Sequence, residues 1–134
     1  MTFGNFYFAG GPASLFVIVL TVLALFVSVV AVVVTLIVKN PIVPGILGML
    51  LLFFAVLIAV IGVGASMMNR SRMERALVNS GIDPSQEAMI RAEGEREANQ
   101  PLMMGLLGAA LPGLAGAALG MVALKRRSDK NALN

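Results

Sequence analysis

A chain of 134 residues that is 58% hydrophobic and 13% charged, with a mean hydropathy of +0.90, has too little polar surface to clothe a soluble core, so composition places it in a membrane. The formal charge of +3 arises from ten Lys and Arg against seven Asp and Glu, and there is no cysteine and no histidine. Disulfides, thiolate chemistry and imidazole ligands are thereby excluded.

No Asp, Glu, Lys, Arg or His side chain occurs in residues 1–38, 40–69 or 98–124. Hydrocarbon offers backbone groups no hydrogen bonds, which leaves helices or closed barrels. These runs are continuously apolar instead of alternating with period two, so the expected fold is an all-α integral membrane protein with three transmembrane helices. A hydrocarbon core about 30 Å thick needs about 20 residues at about 1.5 Å each.

The first qualifying stretch covers about residues 12–38. It lacks a basic leader and a small-residue cleavage pattern, and its apolar part is about twice the length of a signal peptide's, so it reads as a retained span. The second covers about 44–68 and the third about 101–124, and each of the three has a proline near its start, where the missing N–H costs nothing.

A hydrophilic segment, 69–100, separates the last two spans. Within it Ser71 to Asn79 predicts a short helix ended by Ser80-Gly81. Asp83-Pro84-Ser85-Gln86 then reads as an N-cap, proline at N1 and Gln at N3, starting another helix that heads toward the third span. Pro101 is placed to kink or interrupt it. With a basic tail at 125–134, the whole chain is one membrane domain.

Three full spans put Lys39, Lys125, Arg126, Arg127 and Lys130 on one side and the five arginines of the hydrophilic segment on the other, a tie under the positive-inside rule. Six acids dilute those arginines, whereas Lys125-Arg126-Arg127 is densely basic, which favours an outside N-terminus and an inside tail. In a rival topology Leu111-Pro112-Gly113 breaks the third stretch into re-entrant half-helices, setting nine basic residues against one.

The faces of these helices carry most of the information. Ser14, Thr21, Ser28 and Thr35 recur every seven residues, beside a second row of Val17, Ala24, Ala31 and Val38. Such hydroxyls bond back to their own helix in the plain structural case; in the sharper one they face a pore or a partner helix. The second helix offers Gly48, Ala55, Ala59, Gly62 and Ser66 for close packing. The third offers Gly105, Gly108, Ala109, Gly113, Gly116, Ala117 and Gly120, including a Gly116-x-x-x-Gly120 spacing. Small groups on more than one face of that helix point to contact with a neighbouring subunit.

An intramembrane transport or proton-relay site normally needs an Asp, Glu, Lys, Arg or His, and the spans of this chain contain none. Glu93, Glu95 and Glu97, interleaved with Arg96, read as a solvated helix face. No enzyme activity, metal, cofactor or nucleic-acid partner is expected.

Two patches are similar to the MotA/TolQ/ExbB proton-channel family. Ala9-Gly10-Gly11-Pro12 followed by Leu20-Thr21-Val22-Leu23-Ala24-Leu25 resembles that family's opening, and Gly94, Glu97, Ala98, Gly105, Leu106 and Ala109 fall in register with the entry to its last span. Leu102 stands where the family has its pore-lining Thr, Pro112 comes one residue late, and Lys39 to Val43 replaces a large cytoplasmic domain. The resemblance implies a bacterial inner membrane, a homo-oligomer, and a proton-carrying acid supplied by a single-span partner. It implies an oligomeric channel or motor component without its own proton-carrying residue. The alternatives are an accessory structural subunit of a larger complex and a holin-like pore former.

Overall fold

A computed structural model describes residues 3–133, with side chains from Pro12 onward. It contains three helices, α1 (Phe3–Ile37), α2 (Ile42–Asn79) and α3 (Pro84–Ala132), and no strand among the described residues. Each is long and apolar enough to cross a bilayer. The protein is an all-α membrane bundle.

The connections are short and locally determined. After Val38, whose N–H still donates to Val34, Asn40 Oδ1 accepts the N–H of Ile42 at 3.0 Å, and Pro41 stands at the N-cap position of α2 without a capping side-chain bond. At the far end Ser80 closes α2, and Gly81 takes a φ of 57°, a left-handed turn that costs glycine nothing. Asp83 then caps α3 through the N–H of Ser85, with Pro84 at the first helical position, as the sequence predicts.

Three sequence expectations are corrected. Residues 71–79 are not a separate helix but the last turns of α2, and α3 runs unbroken through Pro101 and Pro112, so neither proline interrupts it and no re-entrant pair exists. Pro12 also lies inside its helix and not at the start. Each internal proline removes one backbone bond, but Pro101 and Pro112 are fully buried against the bundle, and packing holds the rod together across the gap.

At about 1.5 Å per residue, the 38 residues of α2 span about 57 Å and the 49 of α3 about 74 Å, well over a bilayer's apolar thickness. The surplus forms a two-helix arm made of 69–79 and 84–100. Met73 packs on Gly94 across the arm, and Arg70 hydrogen-bonds Asn99 at its base.

All three helices bury a seven-residue repeat, which keeps one seam facing inward along the full length. On α1 it is Ser14, Val17, Ala24, Ser28, Ala31 and Thr35. On α2 it is Pro44, Gly48, Leu51, Ala55, Ile58, Gly62 and Ala65, and on α3 Ala98, Pro101, Gly105, Pro112, Gly116, Leu119 and Ala123. Large side chains such as Phe16, Phe26, Phe53 and Leu114 point outward, as contact with acyl chains requires.

Candidate functional site

The hydroxyl row lies inside the bundle. Ser14, Ser28 and Thr35 are buried and Thr21 is half-buried, all turned toward α2 and α3. Thr21 Oγ1 donates to the Val17 carbonyl at 2.7 Å and Ser28 Oγ to the Ala24 carbonyl at 2.6 Å, each four residues back. This is the self-satisfying arrangement of hydroxyls in apolar helices. Ser14 Oγ and Thr35 Oγ1 meet no hydrogen-bond partner among the described residues.

These two bonds stay within one helix and hold nothing across the bundle. Ser28→Ala is therefore expected to cost no more than about 0.6 kcal/mol in a reversible detergent-unfolding titration, the average for polar contacts in such bundles. Ala24→Leu, on the fully buried companion row, is expected to cost about 1–3 kcal/mol by overpacking.

α2 and α3 meet at two glycine crossings. A methyl on Gly48 would lie 2.8 Å from the Gly116 carbonyl oxygen, and one on Gly116 would lie 2.8 Å from that of Gly48. A methyl on Gly62 would lie 2.8 Å from both Gly105 Cα and the Pro101 carbonyl oxygen. Backbone touches backbone at both places, which is how helices gain contact in a solvent as apolar as their own side chains. Ala55 is buried, Ala59 and Ala109 are half-buried, and Ala117 faces outward. The Gly116-x-x-x-Gly120 pair receives Gly48 between its two members: a methyl on Gly48 would also lie 3.1 Å from the Gly120 nitrogen, while one on Gly120 itself would point away and meet nothing within 4 Å. Leu51 and Ile58, large residues that the small-residue rows do not include, are fully buried as well.

Polar groups mark the ends of the apolar zone. Where α1 finishes, Arg126 of α3 donates Nη1–H to the Val38 carbonyl and Nη2–H to the Thr35 carbonyl, both at 2.8 Å. A helix C-terminus presents unpaired carbonyls and a partial negative charge, so one guanidinium serves as cap and counter-charge together. Sequence reasoning missed this role although a signal was present. Ala98, Gly105, Pro112, Leu119 and Arg126 follow at steps of seven, and Arg126 is the first charged residue on that repeat after the apolar run begins.

On the arm, Glu93, Glu95 and Glu97 are all exposed, as are Arg70, Arg72 and Arg75. The α2 portion carries three arginines against one glutamate, and the α3 portion four glutamates against two arginines. Among the described residues the ion pair formed is Arg91 with Glu87, within a single helix at 3.1 Å.

The residues resembling the channel family's last span straddle the point where α3 enters the apolar zone. Gly94, Ala98 and Gly105 face α2, Ala109 packs on the core of Val17, Ala24 and Ile58, and Glu97 and Leu106 face outward. Of the first patch, the side chains of Ala9, Gly10 and Gly11 lie outside the described ones. Neither family models, curated proteins nor solved structures give a match to this chain.

Proposed function

We propose that the protein is a structural subunit of a membrane assembly that works as an oligomer of itself and holds no ion-carrying group of its own. The observation that carries this reading is what remains after the bundle has made its internal contacts. Hydroxyl and glycine rows are turned inward, while the arm has a basic α2 edge and an acidic α3 edge that form no ion pair with each other among the described residues, Arg70 bonding instead to the Asn99 amide. Opposite edges on one rigid element suit identical copies standing side by side in a head-to-tail ring. Exposed ion pairs contribute only about 0–1 kcal/mol each, so the arms set register and the lipid-facing surfaces supply the area.

A ring of this kind, with an outside N-terminus and a basic tail inside, agrees with the resemblance to the MotA/TolQ/ExbB family. Any proton path would then run between copies and take its acid from a partner, because each bundle is closed by backbone contact. In native mass spectrometry from mild detergent, a single defined homo-oligomer is expected. Replacing Glu93, Glu95 and Glu97 together by Gln should shift it toward smaller species without lowering the monomer's thermal stability. A monomer that carries other subunits with it would move the protein to the accessory class. Abrupt membrane permeabilisation on expression would move it to the holin-like class.

A further inference from the structure

The outer surface of the α2–α3 pair carries an apolar groove close to the end where α1 is capped. Ile46, Met49 and Leu124 form its exposed walls, Gly45 and Gly120 its floor, and Arg127 its outer end. The floor is bare backbone. A methyl on Gly120 would touch nothing, and one on Gly45 would lie 3.6 Å from Ala123 Cβ and 4.0 Å from Arg127 Nη2, so the guanidinium lies over the mouth of the groove.

Neighbouring cations differ in what they are doing. Arg126 is committed to the carbonyls of α1, and Lys39, Arg126, Asp129 and Lys130 line a separate recess. Arg127 meets no carboxylate at ion-pairing distance among the described residues. An apolar groove in a bilayer-facing surface is filled by hydrocarbon, and a guanidinium at its polar end matches a phosphate in a two-pronged hydrogen bond. With Lys39, Lys125 and Lys130 at the same end, a net-negative headgroup is favoured over one that carries its own cation.

We propose that the groove ending at Arg127 binds one anionic glycerophospholipid, an acyl chain lying over Gly45 and Gly120 and the phosphate held by the Arg127 guanidinium. The site needs no second copy of the chain, so it stands apart from the oligomer reading above.

The test is native mass spectrometry of the full chain from micelles equilibrated with equal amounts of phosphatidylglycerol and phosphatidylcholine. The wild type is expected to retain the anionic lipid about fivefold over the zwitterion, the effect of one well-placed cation at a membrane surface. Arg127→Gln should bring that ratio close to one, whereas Lys125→Gln, an equal loss of charge outside the groove, should leave it. Gly120→Leu fills the groove and should abolish retention of both lipids, with Gly120→Ala as the milder variant if the larger one melts early. The proposal is overturned by a wild-type ratio near one, or by equal effects of the two charge variants. It is also overturned if Gly120→Leu breaks up an oligomer while lipid retention stays unchanged, since the groove would then be sealed by another copy.

Discussion

Gly62→Ala is expected to lower stability by about 1–3 kcal/mol, the range for forcing an extra carbon into a closed packing site. The added methyl would sit 2.8 Å from Gly105 Cα and from the Pro101 carbonyl oxygen, and both are backbone atoms that no rotamer change can move aside. α2 and α3 must separate locally, which forfeits dispersion contacts for several residues on either side. Gly64→Ala is the matched control two residues away. Its methyl would meet nothing within 4 Å, so its effect should remain within about 0.5 kcal/mol. Reversible unfolding in mixed micelles reads both variants. Equal midpoints for the two would mean that the helices do not touch at Gly62.

The second large effect is expected at Arg126. Arg126→Gln removes two charge-assisted hydrogen bonds to the Val38 and Thr35 carbonyls and leaves the end of α1 without its counter-charge. Bonds to charged groups contribute about 1.5–3 kcal/mol each, and the half-exposed position lowers the combined loss to roughly 2 kcal/mol. Arg126→Lys should recover less than half of it, because a single ammonium cannot present the planar fork that reaches both carbonyls. Lys125→Gln, one residue earlier and exposed, should change little. Amide exchange measured along residues 34–38 separates this cap from a general effect of charge: Arg126→Gln should accelerate it and Lys125→Gln should not. Unchanged exchange in Arg126→Gln would remove the cap from the account.

The class of fold was legible because apolar length is the strongest signal a membrane chain carries. So was the inward seam of α1, since its two rows repeat every seven residues without a break. The arm was misread at Pro101, where a local rule met a tertiary one. Proline costs a helix one bond, yet at Pro101 its ring is buried on the repeat that faces Gly62, and the Glu-, Arg- and Ala-rich stretch before it favours continuing the helix.

The four-residue glycine spacing was legible as well. Gly116 and Gly120 flank Gly48 of α2 at a close backbone crossing, as that motif implies, and the outer side of Gly120 faces the groove. Leu51 and Ile58 escaped notice because bulk is uninformative in lipid, where large residues fill cores and coat surfaces equally well. Among the arginines, sequence alone could not distinguish the one bound to a helix end from its neighbour at the groove. That distinction depends on where α1 stops relative to α3, a relation between residues 88 and 91 positions apart in the chain.

No flexible joint separates the tip of the arm from the basic end of the chain, since α3 crosses the whole bundle as one piece. A force applied to the arm on one face of the bilayer is therefore carried along one continuous helix. It reaches the opposite face as a tilt or axial turn of the same shaft, and the shaft's softest points are the two proline positions where a rung of the backbone ladder is missing.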